Sequence, residues 1–312
     1  MILFDGVLAL LIVVLAWRCV TAGDLYLGIV VFIVMGLMLA LSWARLDAPD
    51  LALAEAAIGA GLLGVLLLST WRALPGHRRQ DRDHPPARKA VRWLAGVASV
   101  AFGLVMAALL HALQPDEDAA GALALGRLTE AGVEQPVTAV LLNFRSYDTL
   151  LEMGVLLMAL IGALLARTPL APYGAATDDG TDSPLIPVLA TTFTPLLLLV
   201  GAFLVWAGAY GPGGAFQGGA VLGGAGVVLV LCNRLQGAPE AGILLRLLLV
   251  LGVKVFILAG LLMLPLEGAF MAYPPGLTYP IMIAIEFCLA TSIAVSLLLL
   301  FTGTHGVRVP ER

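Results

Sequence analysis

Long apolar runs separated by short polar stretches make up most of the chain. With a window of about 19 residues, the runs fall at 2–18, 25–44, 49–70, 92–113, 143–166, 186–209, 218–234, 243–264 and 279–301. Each is close to the roughly 20 residues that a helix needs to cross a hydrocarbon core. Segments such as LLGVLLLS and LLLLVGAFLVW are apolar all round. They lack the polar face that a helix on a soluble protein would show. Backbone in lipid must satisfy its own hydrogen bonds, so each run reads as a helix. The alternating pattern of barrel strands is missing. The expected fold is all-α: a polytopic membrane protein of nine spans.

Composition agrees, and it excludes whole classes of function. Of 312 residues, 60% are hydrophobic and 12% are charged. Soluble domains have roughly half and a quarter. An ordinary soluble enzyme, a disordered chain and a nucleic-acid binder are all excluded. The formal net charge of −4 says little, because membrane proteins place charge by side. Cys19, Cys232 and Cys288 are scattered, which indicates neither a zinc site nor a disulfide framework. Asp5 stands where a signal peptide carries a basic residue, so the first run is expected to be retained as a helix.

Basic residues give the expected orientation. The stretch 71–92 holds seven of the 17 lysines and arginines: Arg72, Arg78, Arg79, Arg82, Arg88, Lys89 and Arg92. That stretch is expected in the cytoplasm. Counting outward, the N-terminus falls outside and the C-terminus inside. Arg18, Arg167, Arg234, Arg308 and Arg312 then sit at cytoplasmic ends. Arg45, Arg127 and Arg145 lie outside, beside the acidic stretch QPDEDAAG. Polar linkers at 71–92 and 167–185 divide the chain into blocks of three, two and four spans: 1–92, 93–185 and 186–312. No internal repeat is evident.

A charge within the bilayer costs about 2.5–3.5 kcal/mol on insertion scales, so ionisable residues at membrane depth are functional candidates. Glu55 lies in DAPDLALAEAAIGAGLLG, about five residues past the helix start at Pro49. Asp47 and Asp50 sit at that start, where negative charge is favoured. Glu55 is either a carboxylate on an ion path or half of a structural pair. In NFRSYDTLLEMGVLL, Arg145, Asp148 and Glu152 share one helix face. Arg145 and Asp148 form an expected clamp, with Glu152 deeper as the working carboxylate. Lys254 and Glu286 fall at similar depth on neighbouring runs. They are expected to pair, either structurally or as a titrating couple on an ion route. Arg246 is expected at the cytoplasmic interface. His77, His84, His111 and His305 share no ligand spacing, so no metal site is expected.

The stretch AYGPGGAFQGGAVLGGAGVV joins the sixth and seventh runs. Pro212, Gly213, Gly214, Gly218 and Gly219 permit a tight turn, with Phe216 and Gln217 in the same hairpin. It is either a packing hairpin or a re-entrant element lining an ion route. It is not a phosphate loop, since no GK[ST] follows. Gly223, Gly224 and Gly226 extend a small-residue face suited to close helix packing. No Ser/His/Asp order, nucleophile elbow, HExxH or nucleotide fingerprint occurs, so no catalytic residue is expected.

These motifs carry a resemblance. TTFTPLLLLVGAFLVWAGAYGPGGAFQGGAVLGGAGVVL resembles the B subunit of Mrp-type Na⁺/H⁺ antiporters, the MnhB family, whose signature is a PGGGFQGG-like hairpin. Ala215 stands where that family often has glycine. DAPDLALAEAAIGAGL is similar to the PDVALTEAAVGAG run of MbhD-like regions, with Glu55 on the motif's glutamate. VLLNFRSYDTLLEMGVLLMALIGALLA resembles the VDFRGFDTLGE stretch of MbhE-like regions, with Arg145, Asp148 and Glu152 on its charged positions. Leu151 replaces a usual glycine there.

The resemblance implies a fused accessory subunit of a multi-subunit Mrp-type monovalent cation/proton antiporter in a prokaryotic plasma membrane. Its implied partners are large antiporter-like A/D-type subunits, small C-type subunits and lipid. The implied cargo is Na⁺ and H⁺, with no cofactor. Glu55 and Glu152 would bind or relay the ion, and Arg145 and Asp148 would set the local field. Three rivals stay open: a membrane arm of a hydrogenase- or complex I-related redox complex, a structural scaffold, and transport of another solute coupled to the ion gradient.

Overall fold

The computed structural model describes residues 2–73, 89–112, 120–165, 185–238, 240–274, 276–303 and 306–308. The expected cytoplasmic charges Arg78, Arg79, Arg82, Arg88, Arg167 and Arg312 lie outside the described residues. So do His77, His84, His305, nearly all of the 167–185 linker and most of QPDEDAAG.

Helices follow the apolar runs. Helices α1 (Ile2–Val20) and α2 (Leu25–Arg45) pack together. Arg45 Nε donates to Asp5 Oδ1 at 2.9 Å, which joins the start of α1 to the end of α2. The third run begins with Pro49 at its first turn, where the missing N–H costs nothing. It runs as α3 (Pro49–Ala54), widens into a π-helix, π1 (Glu55–Leu62), and returns to α4 (Leu63–Ala73).

The second block opens with α5 (Lys89–Ala112), whose described side chains are exposed along its length. Then come α6 (Ala120–Gly126), a 3₁₀ turn at Leu128–Glu130, α7 (Pro136–Ala139), a second π-helix, π2 (Val140–Phe144), and α8 (Ser146–Leu165). The short elements from α6 to π2 are too brief for a hydropathy window to find. The third block holds α9 (Leu185–Ala207), α10 (Ala215–Leu231), α11 (Ile243–Glu267) and α12 (Thr278–Thr302). Strands β1 (Gln236–Ala238) and β2 (Gly306–Arg308) pair antiparallel, with Gly237 opposite Val307.

The chain is an all-α polytopic membrane protein. Among the described residues, eight helices are long and apolar enough to cross a membrane, and α10 is a ninth apolar helix of only 17 residues.

The core centres on α12. It packs on α8, α9, α10 and α11, and its buried residues include Met282, Ile285, Leu289 and Ile293. Helix α10 is narrow because glycine and alanine fill its buried faces: Gly218, Gly219, Ala220 and Gly223. A Cβ on Gly219 would meet Ile293 of α12 at 2.9 Å, and one on Gly218 would strike Val205 of α9. Small residues therefore let three backbones approach one another. The end of π1 and the start of α4 join this packing through Leu62, Val65 and Leu66, which lie against Val227, Val230, Leu298 and Phe301.

Between α11 and α12 the contact is polar at one point. Ser292 Oγ accepts the Gly252 N–H at 2.8 Å and donates to Leu248 O at 2.9 Å. A hydroxyl from α12 thus stands inside one rung of the α11 ladder. Ser292→Ala is expected to destabilise the pair by about 1–3 kcal/mol, because a buried N–H and C=O lose their bridge. The thermal unfolding midpoint of the detergent-solubilised protein is the readout. An unchanged midpoint would mean that the rung closes on its own.

Candidate functional site

Three blocks meet at one carboxylate. Asp50 occupies the first turn of α3 and is 7% exposed. Its Oδ2 accepts a hydrogen bond from Gln135 Nε2 at 2.6 Å, and its Oδ1 accepts the Gly213 N–H at 2.9 Å. Its backbone carbonyl accepts from Gln217 Nε2 at 3.2 Å. The first block therefore holds the second block through Gln135 and the third through the glycine hairpin. Hydrogen bonds to a charged acceptor contribute about 1.5–3 kcal/mol each.

The same hairpin is clasped from the second block. The N–H groups of Glu134 and Gln135 donate to Ala209 O at 2.9 and 3.1 Å, and Thr138 Oγ1 donates to Gly208 O at 2.5 Å. The turn is tight enough that a Cβ on Gly208 would meet Gly214 backbone at 2.6 Å. Gly214 has φ 111°, a value that favours glycine. It caps α10, and Glu286 approaches the hairpin there, its Oε1 3.2 Å from the point where a Cβ on Gly214 would stand. Glu286, eight residues beyond the start of α12 and thus about 12 Å along it, is 4% exposed. The positive end of the α10 dipole faces this carboxylate. The hairpin is both a packing element and the lining of a polar interior.

Next to it lies a cavity of about 60 Å³, lined by residues of α7, π2, α8, the hairpin and α12. Its floor is held in part by Tyr273, in the segment between α11 and α12, which donates to Leu142 O at 2.9 Å. Burial pushes the Tyr273 phenol above its ordinary value, so it stays a neutral donor.

The other expected site residues divide. Glu55 opens π1 and is half-buried. Its Oε1 lies against Gly36 of α2 and against Gly59 of its own helix, where an added Cβ would strike the carboxylate. Glycine at these positions makes room for an acid between α2 and π1. Among the described residues it has no salt-bridge partner. Arg145 and Asp148 form the expected clamp, Nη2 to Oδ2 at 2.6 Å. Both are partly exposed, so the pair adds little stability. Glu152 is exposed, because α8 buries Ser146, Thr149, Met153 and Leu160 instead. It faces outward and not into the interior of this chain.

The Lys254–Glu286 pair does not form, and that expectation is corrected. Helix α11 turns Gly252, Phe256, Gly260 and Met263 inward. Lys254 follows Gly252 by two residues, roughly 200° around the helix, and is exposed. Similar depth on neighbouring spans fixes height and leaves the facing direction open.

Asp50, Gln135, Thr138 and Thr149 were missed as site residues. Asp50 carries the ordinary signature of a helix start, and Gln135 precedes Pro136 in the same way. Their partnership across the fold leaves no trace in local spacing. The one available signal was the polarity of Gln135, Thr138 and Thr149 beside an apolar span.

None of the curated proteins matches the chain. Residues 10–76 match the MbhD family, described as a subunit of MBH. Residues 185–305 match the domain related to the MnhB subunit of Na⁺/H⁺ antiporter. Among solved structures, a chain of the Mrp complex from Dietzia sp. DQ12-45-1b aligns with a TM-score of 0.76 and 20% identity. That alignment covers 96% of this chain and 35% of the other, so this chain spans about a third of that one. A chain of the membrane-bound sulfane sulfur reductase, an archaeal respiratory membrane complex, aligns with a TM-score of 0.57 and 21% identity. There the cover is 69% of this chain and 97% of the other.

The junction makes an ordered prediction. Asp50→Ala orphans the buried Gly213 N–H and is expected to cost about 1–3 kcal/mol. Asp50→Asn should cost less, because Gln135 can turn its amide over and accept. Thermal unfolding of the solubilised protein should rank wild type above Asn and Asn above Ala. Alanine equal to wild type would remove the clamp.

Proposed function

We infer that this chain, which in its two matched parts belongs to the MbhD and MnhB families, is a membrane subunit of a multi-subunit Mrp-type cation/proton antiporter. It resides in a prokaryotic plasma membrane, its N-terminus outside and its C-terminus inside, with α10 counted as a ninth span. Other membrane subunits are its partners: large antiporter-like chains of A/D type and small ones of C type. The region from 93 to 185 acts as an MbhE-like block between the two matched parts. The cargo is a monovalent cation, Na⁺, exchanged for H⁺.

The observation that carries this reading is Glu55. Its carboxylate is held at span depth between α2 and π1, in space left by Gly36 and Gly59. An acid kept inside a membrane fold is costly unless it binds something positive. π-Helical turns occur frequently at functional sites, and Glu55 is the first residue of one. Its carboxylate can accept a proton or offer hard oxygen to a cation. Glu152, on the outward face of α8, would continue the route at the contact with a neighbouring subunit. The Arg145–Asp148 pair beside it sets the local field. Lys254, also outward, would face a partner chain along the same route.

The likeness to a respiratory membrane complex supports a second reading, in which electron transfer in soluble partners drives ion movement through a similar arm.

Everted vesicles with the whole gene cluster in an antiporter-deficient host test both readings. Na⁺-dependent dissipation of a pH gradient is expected. Glu55→Gln and Glu152→Gln should each reduce it at least about tenfold, the loss of one charge-assisted interaction or more, with the complex intact on a native gel. Normal exchange in both variants would remove their assigned roles. Exchange only with an electron donor present would favour the redox-driven arm.

A further inference from the structure

The cavity beside the hairpin is lined by several oxygen acceptors, and a number of the donors around it are engaged. Gly213 N–H is bound by Asp50, and Gly214 N–H by Leu204 O at 2.8 Å. Gln217 Nε2 donates to Asp50 O at 3.2 Å. The Thr138 hydroxyl donates to Gly208 O at 2.5 Å and the Thr149 hydroxyl to Leu141 O at 2.6 Å. Among the lining residues, Glu286, Gln217, Thr138 and Thr149 carry side-chain oxygens.

The geometry is convergent. The point where a Cβ on Gly214 would stand is 3.2 Å from Glu286 Oε1 and 3.6 Å from Gln217 Oε1. Glycine keeps that point empty. Glu286, Thr138 and Thr149 are 4%, 6% and 3% exposed, so all three oxygen sets are shielded from bulk solvent. Among the described residues, no lysine or arginine forms a salt bridge with Glu286, and Lys254 on the adjacent helix points away.

A buried carboxylate among neutral oxygens, with no lysine or arginine bridged to it among the described residues, can hold a positive ligand. Its size sets an upper limit. About 60 Å³ leaves room for one ion with one or two waters, each water occupying roughly 30 Å³ in the liquid. An organic ammonium would not fit. One carboxylate among neutral oxygens matches a single positive charge; divalent sites gather more anionic ligands and more oxygens. The helix ends and irregular backbone of broken membrane helices are suited to this use.

We propose that this cavity is a binding site for a small monovalent cation, Na⁺, with Glu286, Gln217 Oε1, Thr138 Oγ1 and Thr149 Oγ1 as its ligands. The proposal deepens the transport reading and rests on it for the ion's identity; it adds a second site in the third block, separate from Glu55. Asp50 acts on this site at one remove. By fixing Gly213 and Gln217 it orients the hairpin that carries the ligands.

The test is equilibrium binding of ²²Na⁺ to the complex purified from the co-expressed gene cluster. All samples carry Glu55→Gln, so that a site at Glu55 stays silent. Saturable binding is expected with Glu286 present. Glu286→Gln should remove one equivalent, and Thr149→Val should weaken affinity about tenfold, the size of effect that one lost ligand oxygen gives. Should Glu286→Gln fail to assemble, Thr149→Val and Gln217→Leu decide, and unchanged affinity in both overturns the site. Absence of saturable binding, or full binding in Glu286→Gln, also overturns it. Binding that is lost in Glu286→Gln, from a cluster that shows no exchange, would leave the site standing and remove the antiport.

Discussion

The Asp50 carboxylate is the constraint on which the rest depends. Its two oxygens are claimed by different parts of the chain, Gln135 and Gly213. Apolar packing between helices in lipid is weakly directional, since lipid tails compete with side chains on equal terms. A buried carboxylate is directional, because an unmatched one is costly. Three blocks of helices that slide against one another at little cost are locked in rotation and height at this point. Gln217 adds a third tie to the same residue through the backbone carbonyl.

From that lock follows the shape of the third block. The hairpin cannot leave Asp50, so α10 must start where the hairpin ends, beside the third turn of α12. That explains why α10 is the short apolar helix, with 17 residues against 25 in α11 and α12. Its N-terminus lies beside the buried Glu286 and not in solvent. Its glycine faces let it descend between α9 and α12 without displacing either. The clasp from Glu134, Gln135 and Thr138 then closes the remaining side. One polar contact thus sets the position of a helix end, and the helix end sets the environment of a buried acid.

Much of this architecture is legible in the chain, and the limits have physical causes. Apolar runs of span length announce helices because lipid allows little else. The Arg145–Asp148 clamp is legible too, since helical spacing of three puts both on one face. Lys254 shows where such reasoning stops. Counting residues gives depth, while the facing direction depends on which stripe a neighbour covers. The stripe is written in Gly252, Phe256, Gly260 and Met263, and Lys254 falls outside it. Asp50 is hidden for another reason. An acid near a helix start already has a local explanation in the helix dipole, and only the fold reveals that its partners lie 85 and 163 residues away. Glu152 is read as deeper than Asp148, and depth alone leaves its facing direction open. The buried side of α8 instead belongs to Thr149 and Met153.

The outward charges answer to a different constraint. Lys254 is exposed near the middle of a 25-residue helix, and Glu152 is exposed about two turns into α8. Neither side chain reaches water easily from such a depth, and lipid is a poor host for either charge. The faces around them are apolar: Leu258 and Leu261 stand 57% and 51% exposed near Lys254, and Val155 stands 69% exposed beyond Glu152. Helix α5 adds another exposed apolar surface among the described residues. With Asp50 and Glu286 buried and single charges set in apolar outer faces, those outer faces are suited to cover by other membrane helices. The inner polar centre and the outer charges therefore depend on different neighbours. Asp50 is satisfied within this chain, whereas Lys254 and Glu152 stand exposed on its outer faces.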